Sequence, residues 1–339
     1  MGDLENRIKA KALECGYDGC GIIAAGGFDE FSAELDRRSA LFPQAAPFYN
    51  GLRRLAKPGE CLDWAKSVVV CRRRYDDKYR IPGGLERYVG KVYLVDGRLS
   101  YSREAAGNAA LSSFLEEQGM RTAQNAVPHR WSAVRAGLGK FRDNNFVYTE
   151  RGSWNWFETW VVDKELEYEP PVVTPRLACP EGCGKCIKAC PTGALSAPLT
   201  MDASRCIAYL SFRPGVFPAA DLREKMGTWL YGCDLCQNVC PANAKTWQDN
   251  DEHFPDPVSL EKVVTPEAII AMDEAAFREV LQPRFWYIGE DDIWQWKSNA
   301  IRALANMEPE KYREQLSRFL DDSDERVREM AAWALAKSR

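Results

Sequence analysis

Residues 179–191, CPEGCGKCIKACP, and residues 231–241, YGCDLCQNVCP, hold two similar cysteine runs. Their spacings are Cys179-x3-Cys183-x2-Cys186-x3-Cys190-Pro191 and Cys233-x2-Cys236-x3-Cys240-Pro241. An eighth cysteine of this region, Cys206, lies between the two runs. Cys-x2-Cys turns followed by Cys-Pro are typical of proteins with two 4Fe–4S clusters. The pattern therefore predicts a ferredoxin-like module that carries electrons.

Four thiolates must converge on each cluster, and the last cysteine of a run usually ligates the neighbouring cluster. This rule assigns one cluster to Cys179, Cys183, Cys186 and Cys240. It assigns the other cluster to Cys190, Cys206, Cys233 and Cys236, where Cys206 replaces a missing first cysteine. Three residues separate Cys179 from Cys183 where two are usual, so residues 180–182 are expected to bulge.

Other uses of cysteine stay open at this point. Zinc knuckles also use paired Cys-x2-Cys turns, although duplicated Cys-x3-Cys-Pro endings are unusual for them. Disulfides need an oxidising compartment. The remaining cysteines share no motif and are expected to be small buried side chains; they are Cys15, Cys20, Cys61 and Cys71.

Length and composition favour a soluble protein of two or three domains. The chain has 339 residues, 45% of them hydrophobic, and a net charge of −4, which argues against a general polyanion binder. No apolar run approaches the ~20 residues that span a bilayer. The first residues do not resemble a signal peptide. We expect a cytoplasmic protein that binds neither membranes nor DNA.

The chain divides into three predicted domains: an α/β domain over 1–170, the two-cluster module over 171–257 and a helical domain over 258–339. In the first, periodicity predicts helices at 4–15 and 103–118, with Ser102 as the N-cap of the second. Apolar runs predict strands at 21–25, 67–71 and 159–163. Residues 72–74, three arginines, are expected to form a solvated loop. Trp154, Trp156 and Trp160 alternate as in a strand and are expected in the core.

Beyond residue 258 the pattern becomes helical. Three amphipathic helices are predicted at 293–306, 309–320 and 324–337. The last one has an acidic first turn and an Ala/Leu face, which is typical of a HEAT helix. One or two such units cannot form a free solenoid, so they are expected to pack on the cluster module.

Several segments together resemble the epoxyqueuosine reductase family, whose members use cobalamin and two 4Fe–4S clusters to complete queuosine in tRNA and are related to reductive dehalogenases. The similarity is good over about residues 110–339 and weak over the first hundred. The matching segments are AVRAGLG at 133–139, RGSW at 151–154, WVVD at 160–163, RCIAYL at 205–210, residues 231–241, NAIRAL at 299–304 and AAWAL at 331–335.

This resemblance implies a nitroreductase-like α/β domain that binds cobalamin base-off, in a cleft against the cluster module, with electrons from an external ferredoxin or flavodoxin. It also implies that tRNA is a possible partner. His129 and His253 are the only two histidines, and residues 251–256 lack the final Gly of the D-x-H-x-x-G motif that supplies a cobalt ligand, so His253 is expected at the surface. The implied corrin-binding residues are Arg135, Ala136, Gly137, Leu138, Gly139, Lys140, Ser153, Trp154 and Tyr209.

The chain departs from the family around its substrate site. The family's general acid is an Asp in a Val-Asp-Ser/Thr-x-Pro segment, and the nearest counterpart here is Asn125, three residues before Pro128. An amide cannot deliver a proton, so we take His129 and then Tyr148 as candidate proton donors. Lys140 or Arg142 are candidates to bind an anionic substrate.

We therefore expect a divergent reductase acting on something other than epoxyqueuosine. Two alternatives remain: a dehalogenase-like enzyme for a small molecule, and an electron-transfer or corrinoid-handling protein without turnover of its own.

Overall fold

The computed structural model describes residues 2–248 and 250–337. Met1, Asp249 and the last two residues of the predicted helical domain lie outside the described residues. The predicted limits of the three domains stay predictions.

An antiparallel four-stranded sheet organises the N-terminal region. Its strand order is β1-β2-β6-β3, and two small hairpins, β4-β5 and β7-β8, lie outside it. The predicted strands at 21–25, 67–71 and 159–163 correspond to β1, β2 and β6. The strands are β1 Gly19–Ala24, β2 Ser67–Arg74, β3 Thr122–Gln124, β4 Lys140–Phe141, β5 Val147–Tyr148, β6 Asn155–Val162, β7 Leu195–Ala197 and β8 Thr200–Met201.

Helices cover both faces of this sheet. Ile8 of α1 and Leu111 of α6 pack on one face, and Phe31 of α2 and Val134 of α7 pack on the other. Ser102 caps α6 as predicted, because its Oγ accepts a hydrogen bond from the Ala105 amide at 3.0 Å. The helices are α1 Asp3–Glu14, α2 Asp29–Leu41, α3 Ala46–Gly51, α4 Pro58–Cys61, α5 Lys91–Leu94, α6 Arg103–Glu117 and α7 His129–Arg135.

The expectation of a solvated loop at residues 72–74 is wrong, because all three arginines belong to β2. Arg73 stacks on the Tyr17 ring at 4.1 Å and donates to the carbonyl of Cys15 at the end of α1. Arg74 pairs with Asp76 at 3.0 Å. The carbonyls at a helix C-terminus and nearby carboxylates satisfy these charges inside the fold. The expectation of burial is also wrong for Cys61, which is exposed.

The cluster region consists of single helical turns joined by loops. Its helices are α8 Lys185–Lys188, α9 Ile207–Phe212, α10 Ala220–Arg223 and α11 Leu235–Asn238. Two of these turns, α8 and α11, begin within the two cysteine runs and pack against each other.

The C-terminal region is helical, as predicted. A π-helical turn, Phe277–Leu281, precedes the three long amphipathic helices, and a 3-10 turn, Arg318–Asp321, extends the second of them. None of the described helices is both long and apolar enough to cross a membrane. The helices are α12 Leu260–Val263, α13 Pro266–Ile270, α14 Glu274–Ala276, α15 Ile293–Met307, α16 Pro309–Ser317 and α17 Glu325–Lys337.

Helix α15 attaches this region to the cluster region. Trp296 stacks on Tyr231 with ring centroids 5.6 Å apart, just before the second cysteine run. Asn299 donates to the carbonyls of Ser211 and Leu230, at 2.8 and 3.0 Å.

The Arg302 guanidinium is fully buried on the same helix. It donates to the carbonyl of Gly227 at 2.6 Å and to that of Trp229. Among residues 2–248 and 250–337 no carboxylate pairs with Arg302, and burial lowers its pKa. Two peptide carbonyls, with the Asn299 side-chain oxygen at 3.5 Å, therefore compensate this charge, which makes the contact costly to break.

We expect Arg302→Met to destabilise the protein by about 2–5 kcal/mol, because the Trp229 carbonyl loses this donor and the Gly227 carbonyl keeps only Asn306. Urea unfolding of the cluster-loaded protein, followed by circular dichroism, measures the change. Arg318→Met is the matched control: this side chain is 73% exposed, and its loss should cost less than about 0.5 kcal/mol. Equal unfolding midpoints for the two variants would contradict the prediction.

Candidate redox site

The first cysteine run accommodates its extra residue in a tight turn. The Cys183 amide donates to the carbonyl of Pro180 at 3.1 Å, and Gly182 has φ +68°. A side chain at this φ would be strained, so Gly182 is the residue that lets the three-residue gap close. The predicted bulge at residues 180–182 is present.

Four of the predicted ligands form a half-buried group around α11. Burial raises the pKa of Cys233, Cys236 and Cys206. Cys186 and Cys190, both from the first run, raise the pKa of Cys236 further, and Cys190 also raises that of Cys206, because neighbouring thiolates repel each other. The thiols of the two runs are thus neighbours, and the assignment of each ligand to one cluster stays a prediction.

The remaining ligands of the first run lie nearer to solvent. Burial, with a smaller effect from Cys179, raises the pKa of Cys186 to about 11. The preceding residues, 173–178, are all exposed. No three or more His, Cys, Asp or Glu side chains of the described ranges are arranged to hold a single metal ion.

Two predicted corrin-binding residues lie in the contact between β6 and the cluster region. Ser153 donates through Oγ to Oε1 of Gln237 at 2.9 Å, and its amide donates to Oδ1 of Asn243 at 2.8 Å. The Trp154 ring is buried edge-on against Trp247 at 5.5 Å. Both side chains therefore have protein partners that hold the second cysteine run against the sheet.

Tyr148, a predicted proton donor, lies beside a predicted cluster ligand. Asn144 donates to its hydroxyl at 2.9 Å and also to the carbonyl of Cys236 at 3.0 Å. Burial, followed by the neighbouring Cys240 thiol, raises the pKa of Tyr148. A hydroxyl in this position is suited to hydrogen-bond a cluster sulfur, an interaction that tunes reduction potential.

The loop after α7 packs under β1. A Cβ on Gly21 would lie 2.8 Å from the carbonyl oxygen of Ala136, and one on Gly19 would lie 3.3 Å from Leu138. Arg135, another predicted corrin-binding residue, forms an ion pair with Glu30 at 2.7 Å. The loop position is thus fixed by close backbone packing.

Two glycines of this loop differ in what surrounds them. Gly139 has φ +158°, and a Cβ there would lie 2.6 Å from Val147 of β5, so packing requires glycine. Gly137 has φ +72° and nothing within 4 Å of an added Cβ. Open space at Gly137 suits the approach of a large planar group. Lys140 begins β4, and Tyr209 contacts Phe48 edge-on at 5.1 Å.

Arg130, which the sequence analysis did not single out, is an exposed residue near several distant segments. Its guanidinium keeps solvent access, yet its titratable neighbours come from distant segments and include Tyr75, Tyr93 and Cys236. Burial lowers its pKa. It donates to the carbonyl of Asn145 at 3.1 Å. No motif marks Arg130; only its position after His129 at the start of α7 could have suggested it.

His129 lies near a buried carboxylate. Burial lowers the pKa of His129, and Glu158 of β6 raises it in part. Glu158 accepts from Nε1 of Trp156 at 2.6 Å and from Gln124 at 3.5 Å. Glu158 was also missed in the sequence, because a single Glu inside an apolar strand carries no motif.

Asn125 lies at the end of β3 with φ +58°. Its backbone amide donates to the Thr159 carbonyl at 2.8 Å, and its side-chain Oδ1 accepts from the Thr159 backbone amide at 3.2 Å. The side chain thus continues the sheet pairing, and it has no acidic proton.

Arg98 joins the sheet to the helical region. Its guanidinium lies 4.4 Å from the ring centroid of Trp156 and 4.4 Å from that of Trp286. It also pairs with Asp96 at 2.5 Å and donates to the Tyr287 hydroxyl at 2.7 Å. Trp286 is 40% exposed.

Comparison with known proteins agrees with these features. The model of a 4Fe–4S double cluster binding domain matches residues 179–243, and that of HEAT repeats matches residues 281–339. An epoxyqueuosine reductase of Synechococcus is 31% identical over 90% of this chain and 96% of its own length. The chain belongs to the epoxyqueuosine reductase family. It is therefore an oxidoreductase with a 4Fe–4S double cluster domain.

Solved structures of this family share the fold. The Bacillus subtilis epoxyqueuosine reductase, in a form with its catalytic loop swung out of the active site, has a TM-score of 0.81 at 25% identity, covering 98% of this chain and 90% of that one. An epoxyqueuosine reductase crystallised with a modified tRNA stem loop has a TM-score of 0.80 at 25% identity, with the same coverage of both chains.

Substitution of the ligands tests the crossing assignment. We expect Cys190→Ser and Cys233→Ser to lose the same cluster, leaving about four irons of eight, because both thiols bind one cubane. Cys179→Ser should lose the other. Iron content and electron paramagnetic resonance of the reduced protein measure this, and Cys61→Ser is the control. If Cys190→Ser gave the Cys179→Ser spectrum instead, the crossing assignment would be wrong.

Proposed function

We propose that this protein is a corrinoid- and iron–sulfur-dependent reductase whose substrate differs from epoxyqueuosine. Electrons would enter from an external ferredoxin or flavodoxin at the more exposed cluster, pass to the buried one and then reach cobalamin in the cleft. Family membership over nine-tenths of the chain carries the reductase part of this proposal, and Asn125 carries the change of substrate.

The residues of the cleft fit a base-off corrin. Gly137 leaves open backbone in the loop after α7, and Arg130 offers a cation for the corrin side chains. Three other predicted corrin-binding residues already have protein partners: Arg135, Ser153 and Trp154. In this proposal they stabilise the walls of the cleft. Bound cobalamin would supply a strongly reducing, nucleophilic cobalt.

His129 is the proton donor in this proposal. Burial, the larger effect, lowers the pKa of His129, and the Glu158 carboxylate offsets this in part, so the imidazolium releases its proton more readily than a fully exposed one does. The Tyr148 hydroxyl is less suited, because its raised pKa and its position beside Cys240 keep the proton in place.

A change of substrate follows from Asn125 and the cleft wall. The amide at Asn125 cannot act as the family acid, and its oxygen is held by Thr159. Trp156 and Trp286, stacked on either side of Arg98, present aromatic surface that suits a flat, unsaturated substrate.

Complementation tests the substrate proposal. In a bacterial strain lacking epoxyqueuosine reductase we expect this chain to leave queuosine unrestored, because no carboxylic acid occupies the family position. Queuosine in hydrolysed tRNA is the measurement, and Asn125→Asp, nearly identical in shape, is the matched variant. Full restoration by the unaltered chain would contradict the proposal.

Labelled tRNA binding at two salt concentrations shows separately whether phosphate contacts form.

The titration of His129 tests the proton donor. Since Glu158 raises the pKa of His129, we expect Glu158→Gln to lower that pKa further, so less imidazolium remains at any given pH. Nuclear magnetic resonance can follow both histidines of the chain, with His253 as the internal comparison. Glu150→Gln, a change of an exposed carboxylate, is the control. An unchanged or higher pKa in Glu158→Gln would remove the proposed role of Glu158.

A further inference from the structure

Two cysteines outside the cluster runs face each other across β1 and β2. The antiparallel register places Cys20 opposite Cys71. The Ala25 amide donates to the Lys66 carbonyl at 2.9 Å, so Ala25 and Lys66 form a hydrogen-bonded pair. Hydrogen-bonded and non-hydrogen-bonded pairs alternate along an antiparallel ladder. Cys20 and Cys71 lie an odd number of positions along the ladder from the Ala25–Lys66 pair. They are therefore a non-hydrogen-bonded pair.

A second contact supports this assignment. The Ile22 carbonyl accepts from the Glu169 amide at 2.8 Å and thus points away from β2. Cys20, two residues earlier on the strand, has the same orientation. In non-hydrogen-bonded pairs the Cα atoms are about 4.5 Å apart and the side chains approach most closely. This separation lies within the range of about 4.4–6.8 Å that disulfides span.

The thiols lie in contact on the face covered by α1 and α6. Cys71 belongs to the hydrophobic core there, and Cys20 packs against that core while staying partly exposed. Burial raises the pKa of Cys71, and the adjacent Cys20 thiol adds to the increase. The partly exposed thiol can meet an oxidant, and the buried one can only meet its partner.

We propose that Cys20 and Cys71 are a reversible disulfide site, closed by glutathione disulfide or by peroxide. With glutathione disulfide, Cys20 displaces one glutathione thiol, and Cys71 then displaces the second. The S–S bond forms while the two protein thiols are oxidised and two glutathione thiols are produced. With peroxide, Cys20 becomes a sulfenic acid, Cys71 attacks its sulfur, and two waters are released in all.

The position of the pair gives the link a structural effect. β1 is an edge strand, and its Gly19 and Gly21 lie beneath Leu138 and Ala136 of the loop after α7. A bond from Cys20 to Cys71 would hold this edge strand to β2. The proposal is independent of the substrate and of cobalamin.

Peptide mapping tests it. The cluster-loaded protein is treated anaerobically with glutathione disulfide, quenched in acid, alkylated and digested with trypsin. Cys71 lies in the peptide 67–72, and Cys20 shares the peptide 12–37 with Cys15. We expect a linked pair of these peptides at a level at least about tenfold above that in Cys20→Ser, and loss of the link on treatment with dithiothreitol.

Cys15→Ser is the matched control and should keep the link, because it removes only the other cysteine of the same peptide. A link that persists in Cys20→Ser, or disappears in Cys15→Ser, would assign the bond to Cys15 and overturn the proposal. A glutathione adduct on Cys20 without any linked peptide would overturn it as well.

Discussion

The attachment of α15 to the loops of the cluster region is the constraint on which the rest of the structure depends. A ferredoxin-like module of single helical turns has many carbonyls that its own ladders leave unpaired. Asn299 and Arg302 present side-chain donors to four of them, at Ser211, Gly227, Trp229 and Leu230. The carbonyls of Gly227 and Trp229 accept from the two terminal nitrogens of the buried guanidinium, and these bonds order the loop that leads into the second cysteine run. Neither partner is stable in apolar surroundings without the other.

The half-buried thiol group around α11 has a cation within its electrostatic range. Arg130 of α7 and Cys236 influence each other. If that group holds a cluster, as the family match implies, a guanidinium nearby stabilises the additional electron of the reduced state. The exposed residues 173–178 precede the other group, so the two sites differ in solvent access and in local charge. Both differences act on reduction potential.

Sequence patterns predicted the parts of this fold that depend on local spacing. The cysteine runs, the Ser102 cap, the three strands and the helices at 293–306 and 324–337 follow from periodicity or ligand spacing. Apart from the exposed Cys61, the errors concern charge. Arg73 and Arg74 look like a solvated loop, because the helix-end carbonyls and the carboxylate that pair with them become neighbours only in the folded chain. Glu158 and Arg130 gain their significance in the same way, from partners far along the sequence. The sequence marked Asn125 as a departure from the family segment, and only the sheet shows that Thr159 holds its oxygen.

The Arg98 contact has a mechanical consequence. Its guanidinium lies between an indole of β6 and an indole of the helical region, and a carboxylate and a hydroxyl fix it from the side. Hinge bending between the sheet and the helices would have to withdraw a cation from two aromatic faces at once. This one side chain therefore opposes hinge bending between the sheet and the helical region.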